Sequence, residues 1–189
     1  TLPVDANVGM KGATSRMTST VLLTDRAWPD DAIERGIVEA AGFNFVCGPA
    51  DPAPPEAIEA LVRERQPSAI MTCWAKVTQK VIASSPGCRH VARLGIGLDN
   101  IDVAYATSKN ILVTNIPDYC IDEVVDHALA LMLGISRNVA FHYLKTKQGV
   151  YDLRAGQPMR RLAGQTLGIF GFGRTGQLLR EKALGLGLK

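Results

Sequence analysis

Near the C-terminus an apolar run, Leu167-Gly168-Ile169-Phe170, flows into Gly171-x-Gly173-x-x-Gly176 and then into a helical pattern from Gln177 to Ala183. Strand, glycine turn and helix in that order form the context in which a dinucleotide is gripped. Gly171 permits the tight turn, and Gly173 has no Cβ to block an approaching pyrophosphate. Gly176 lets the helix lie close on the strand. The start of the helix then offers unpaired N–H groups and a positive dipole end to phosphates. The intervening Phe172, Arg174 and Thr175 complete the candidate cofactor-binding set. The plainer alternative is a tight turn with no ligand.

A second candidate set is Ala92-Arg93-Leu94-Gly95-Ile96-Gly97-Leu98-Asp99-Asn100-Ile101-Asp102, which follows a short apolar run. Gly95 and Gly97 flank Ile96, so successive N–H groups there can form a nest for a carboxylate. Arg93 and Asp99 either serve that site or pair to brace the turn. The loop Cys73-Trp74-Ala75-Lys76 follows another apolar run and would face the same edge. Lys76 either steers an acidic substrate by charge or stands solvated beside a half-buried Trp74. Histidine is the usual acid–base side chain near neutral pH. Here His90 precedes a strand, His127 sits within a long helix near Glu123 and His142 lies on the following helix, so none fits that role. Cys120 stands at a helix start, as a nucleophile or as an inert small apolar residue.

The elements that must carry these residues alternate. Residues 21–25, 43–47, 69–73, 90–95 and 111–115 read as strands. Helical patterns lie at 30–42, with Gly42 as its stop, at 56–65 and at 78–84. Such alternation implies a parallel sheet with helices on both faces. A long helix is expected from Ile121 to Ser136. It is apolar on most sides, which reads as burial between lobes or between subunits. A further helix, 138–148, and a polar loop, 151–164, lead to the glycine motif.

With 47% hydrophobic and 21% charged residues among 189, the composition is that of an ordinary globular protein. A formal charge of +3 with dispersed basic residues argues against nucleic acid as a direct partner. No apolar run is long enough to span a bilayer. The four cysteines show neither metal spacing nor a disulfide framework, so reduced thiols, a cytoplasmic setting and no metal are expected. The chain begins with Thr1 and stops at Lys189, where a second strand with a ribose-gripping acid is expected. It therefore reads as a fragment of a longer protein. Residues 1–19 are expected to be a disordered leader, 20–117 an incomplete substrate lobe, and 118–189 the start of a cofactor domain.

Three motifs in this order resemble the D-isomer-specific 2-hydroxyacid dehydrogenases. They are the Ala92–Asp102 segment, Val113-Thr114-Asn115-Ile116-Pro117 with Glu123 to Leu131, and the glycine motif preceded by Leu162-Ala163-Gly164-Gln165-Thr166. Pro117-Asp118-Tyr119-Cys120 is most similar to the branch related to C-terminal-binding proteins. Asp25 and the loop Trp74 to Thr78 look like phosphoglycerate dehydrogenase relatives.

The resemblance implies two lobes: a flavodoxin-like parallel-sheet substrate lobe, then the truncated start of a Rossmann domain. It implies that the Ile96 and Gly97 amides hold a substrate carboxylate and that Ile96 borders a nicotinamide. Trp74 and Lys76 would contact substrate, and Val124 is either an apolar floor for the nicotinamide or core packing. The implied cofactor is NAD, with NADP left open, and the partner is a small 2-hydroxy or 2-keto acid.

In the family the catalytic His, its Glu and the substrate-binding Arg follow the glycine motif in sequence absent here. No catalytic residue is therefore assigned, and the fragment alone is expected to be inactive. The long apolar helix suggests a homodimer. The alternative is an NAD(H)-sensing, corepressor-like binding protein of the same fold.

Overall fold

The computed structural model describes residues 19–152 and 154–189; all but Ser19 of the expected leader lies outside them. The chain divides into two compact units, with the boundary between Pro117 and Asp118.

The first unit is a five-stranded parallel sheet of order β2-β1-β3-β4-β5. Its strands are β1 (Thr20–Leu23), β2 (Asn44–Cys47), β3 (Ala69–Thr72), β4 (His90–Arg93) and β5 (Leu112–Thr114). Its helices are α1 (Ala32–Ala40), α2 (Pro55–Arg65), α3 (Gln79–Ala83) and α4 (Val103–Ser108).

Because strand side chains alternate between faces, the sheet feeds two cores. Leu22, Ile70 and Val91 pack with Ile58 and Val62 of α2, Val81 and Ile82 of α3, and Ala106 of α4. Val21, Leu23 and Phe45 point the other way and meet Val38 of α1. Helices therefore cover both faces, as the alternating pattern predicts. Gly42 closes α1 at φ +85°, a left-handed conformation in which glycine is at ease. The α4 helix has no counterpart in the sequence reading: six residues show no clear stripe, and its signal is the Asp102 carboxylate, which accepts from Tyr105 N at 2.9 Å.

On α1, Arg35 donates to Asp31 at 2.7 Å and to Glu39 at 3.2 Å, and its guanidinium lies 5.0 Å from the centre of the Phe45 ring. The Arg35 partner holds the Asp31 carboxyl below its ordinary value of 3.8. A carboxyl lowered in the folded state contributes stability above its unfolded value and loses it as pH falls through the folded one. Arg35→Gln is expected to flatten the acid limb of the urea midpoint measured between about pH 5 and pH 2. An unchanged limb would show that the pair contributes nothing.

The second unit holds α5 (Ile121–Ser136), α6 (Val139–Lys147) and α7 (Arg174–Leu184). Lys182 of α7 donates to Asp122 at 3.0 Å and Asp126 at 2.6 Å, one turn apart on α5. Within this unit α5 keeps much of its apolar surface exposed. Only Val125 is buried on α5, because α7 covers one of its faces; Leu131 and Ile135 are exposed.

The strand expected before the glycine motif is corrected. Residues 165–169 form no regular strand. Three backbone bonds tie this segment to the chain end: Gly164 N to Gly187 O, Leu167 N to Lys189 O and Lys189 N to Gln165 O. That pairing follows a parallel pattern but is too short to build a ladder. Among the described residues no single helix is long and apolar enough to cross a membrane.

Candidate functional site

In a sheet of this order the chain leaves β1 toward β2 and then returns to the other side for β3. Ligands of such sheets gather at the carboxyl ends of the strands. Asp25, the Cys73–Lys76 loop, the Leu94–Asn100 loop and Asn115 all lie just past those ends.

Parallel pairing of Leu23 with Met71 brings Asp25 opposite Cys73 two residues on. The Asp25 side chain is fully buried. Its Oδ1 accepts from Cys73 N at 3.0 Å, from the Thr24 hydroxyl at 2.8 Å and from the Thr72 hydroxyl at 3.3 Å. Its Oδ2 accepts from Trp74 N at 2.6 Å and Ala75 N at 3.1 Å. On the far side of the loop, the Ala75 carbonyl accepts from Thr72 Oγ1 and Asn100 Nδ2, both at 2.9 Å, and Val77 N donates to Asn100 O at 2.8 Å.

Along this clamped segment Cys73, Ala75 and Val77 are buried, while Trp74 and Lys76 are exposed. Burial pushes the Cys73 thiol up, the Asp25 carboxylate adds to that, and Arg93 opposes it. The resemblance marks Asp25 without giving it a task. Its other signal in the sequence is an acidic residue two positions past a buried apolar strand.

The Gly95–Gly97 loop is held by its carbonyls. Ile116 N donates to Gly95 O at 3.1 Å, Asn115 Nδ2 to Ile96 O at 2.8 Å and Ile101 N to Leu98 O at 3.0 Å. The N–H groups of Ile96 and Gly97 have no partner among the described residues, and both residues are exposed. Paired carbonyls and free N–H groups make an electropositive backbone surface.

Arg93 and Asp99 form no ion pair among the described residues, so the brace between them is absent. Instead each folds over a glycine. A Cβ on Gly95 would lie 2.5 Å from Arg93 Nη1, and one on Gly97 would lie 2.7 Å from Asp99 Oδ1. Among the described residues the Nε and Nη1 atoms of Arg93 are buried without a hydrogen-bond partner.

In the second unit, Gly171 turns at φ +92°, and a Cβ on Gly176 would collide with the Gly171 carbonyl oxygen. Gly173 is the N-cap of α7 at an ordinary φ of −76°, with open space where a Cβ would stand. The fold thus has no packing need for glycine at 173, whereas a phosphate close to the backbone does. Phe172, Arg174 and Thr175 are exposed, and α7 has no acid in its first turn to compete for an anion. These residues fit a pyrophosphate.

Val124 is 49% exposed and Val125 fully buried, so core packing in this unit belongs to Val125. His90 Nε2 lies 2.8 Å from the Thr114 hydroxyl, His127 is exposed and His142 packs edge-on against Phe141. No group of three or more His, Cys, Asp or Glu side chains among the described residues is placed to hold a metal.

The sequence model of the D-isomer specific 2-hydroxyacid dehydrogenase catalytic domain matches residues 22–178. The hydroxypyruvate reductase of Thermotoga maritima is 40% identical over 114 residues, 60% of this chain and 37% of that protein. The glyoxylate reductase of Thermococcus litoralis is 35% identical over 144 residues, 72% of this chain and 43% of that protein. The chain thus spans about two fifths of the length of these relatives. The crystal structure of the TT0316 protein from Thermus thermophilus superposes with a TM-score of 0.77 at 25% identity, covering 90% of this chain and 54% of that one. A parallel sheet ending in a free backbone nest, a glycine turn opening a helix, and a family match that runs through both place the chain in the D-isomer specific 2-hydroxyacid dehydrogenase family.

Proposed function

We propose that the protein carrying this chain is an oxidoreductase that interconverts a D-2-hydroxy acid and its 2-keto acid with NAD as cofactor. The observation that carries this reading is the pair of unpartnered N–H groups at Ile96 and Gly97, on a loop whose carbonyls are tied. Those two amides take the substrate carboxylate, with the Arg93 guanidinium over Gly95 offsetting the Asp99 carboxylate over Gly97. Trp74 and Lys76, the two exposed side chains of the neighbouring loop, face the rest of the acid. In the second unit the Gly171–Gly176 turn and the α7 N-terminus hold the pyrophosphate, and Val124 offers an exposed apolar surface to the ring. When bound, the nicotinamide supplies or accepts the hydride. Proton transfer is not assigned to His90, His127 or His142. Exposed Leu131, Ile135 and Val139 support association as a homodimer.

The test is an NADH titration by fluorescence on the protein expressed from its complete reading frame, with NADPH in parallel. It is followed by NADH oxidation against glyoxylate, hydroxypyruvate and larger 2-keto acids. Saturable NADH binding with turnover of at least one acid is the expected result. Binding with no turnover would replace the enzyme by a nucleotide-sensing protein, and no binding would remove both readings.

A further inference from the structure

Three consecutive N–H groups, those of Cys73, Trp74 and Ala75, converge at the β1/β3 switch point. A nest of that kind at that place is a ready site for an external anion. Here it is filled by the Asp25 carboxylate, which also takes the Thr24 and Thr72 hydroxyls. Open N–H groups lie one strand over, at Ile96 and Gly97 after β4. The opposite side of the 73–77 segment is held by Asn100. With Cys73, Ala75 and Val77 turned inward, this leaves Trp74 and Lys76 facing out.

We propose that Asp25 is a positioning residue of the substrate site: an internal anion that fixes the path of residues 73–77 and so presents Trp74 to the C2 substituent of the acid. It touches no substrate and acts through the backbone it holds. The proposal rests on the 2-keto acid reading for what Trp74 contacts, but not for the anchoring itself.

In Asp25→Asn, the amide can accept from Trp74 and Ala75 or from Cys73, not from all three, so the loop loses part of its anchor. The experiment compares wild type, Asp25→Asn, Trp74→Ala and the double variant with glyoxylate, which has no C2 substituent beyond hydrogen, and with 4-methyl-2-oxopentanoate. Asp25→Asn is expected to raise the KM ratio of the branched acid to glyoxylate about tenfold, equivalent to about 1.4 kcal/mol, with NADH affinity unchanged. Added to Trp74→Ala, it is expected to shift that ratio no further, because both act through the same contact. Additive effects, or equal KM changes for the two acids, would overturn the proposal.

If Asp25→Asn does not fold, Thr72→Val serves, as it removes one hydroxyl shared by Asp25 and Ala75 O. It should shift the ratio in the same direction by about threefold, a weaker effect than loss of a charged acceptor; no shift overturns the proposal. Hydrogen exchange of the Cys73, Trp74 and Ala75 amides separates the two layers. Faster exchange in the variant, confined to these amides, supports the anchor even if no 2-keto acid is turned over. Unchanged exchange overturns it whatever the substrate proves to be.

Discussion

Gly176→Val and Gly173→Ala are expected to give opposite patterns in paired stability and binding measurements. At 176 the added Cβ meets the Gly171 carbonyl oxygen and lies 3.4 Å from the Ile169 methyl, so backbone must shift. Overpacking of this kind costs about 1–3 kcal/mol, and the displaced turn should weaken NADH binding by about a hundredfold, roughly 2.7 kcal/mol. At 173 the added methyl enters open space at an ordinary φ. The melting transition of Gly173→Ala should therefore stay within about 0.5 kcal/mol of wild type. Its NADH affinity should still fall, because on the proposed function the methyl stands where the phosphate approaches. Thermal unfolding and fluorescence titration read both quantities. Wild-type affinity in Gly173→Ala would remove the pyrophosphate from that turn.

The second large effect is expected at Asp25. Replacing it by Ala leaves the N–H groups of Cys73, Trp74 and Ala75 without their acceptor in a buried place. Unmet buried donors cost about 1–3 kcal/mol each. With some relief from entering water, a total loss of about 3–5 kcal/mol is expected. The vacated space has the donors and the size for a small carboxylate. Formate should therefore bind there and return stability by mass action, about 1.4 kcal/mol at ten times its dissociation constant. Chloride at the same ionic strength is the control. Denaturant titration of Asp25→Ala with each salt decides it: equal recovery in both salts would reduce the effect to general screening.

Much of this fold was legible because apolar runs and amphipathic stretches alternate strictly. The α5 helix begins and ends where its pattern does, at Ile121 and Ser136, and β3 stops one residue short of the expected Cys73. The α4 helix escaped because six residues cannot show a helical period. The apolar surround of α5 suggested burial between lobes or subunits, and within its own unit only Val125 is buried. Composition says which residues would welcome a partner, not whether one covers them.

The candidate site divides in the same way. Its glycines stand out in sequence because their missing side chains follow a spacing. The anchoring by Asp25 does not, because its loop partners are main-chain N–H groups 48 to 50 residues away, and no residue type announces them. Asn115 likewise acts on a carbonyl 19 residues distant.

The alternation along residues 73–77 has a consequence for how such a protein diverges. The path of the loop is set through backbone atoms by a residue elsewhere, so the identities at 74 and 76 contribute little to holding it. Exposed positions of that kind accept most substitutions within about 0.5 kcal/mol. On the proposed function, mutation can therefore sample new side chains beside the substrate while the scaffold and the backbone nest stay fixed. Selectivity and foldability become separable traits, and a descendant can change the acid it prefers in single steps without first acquiring a stabilising substitution.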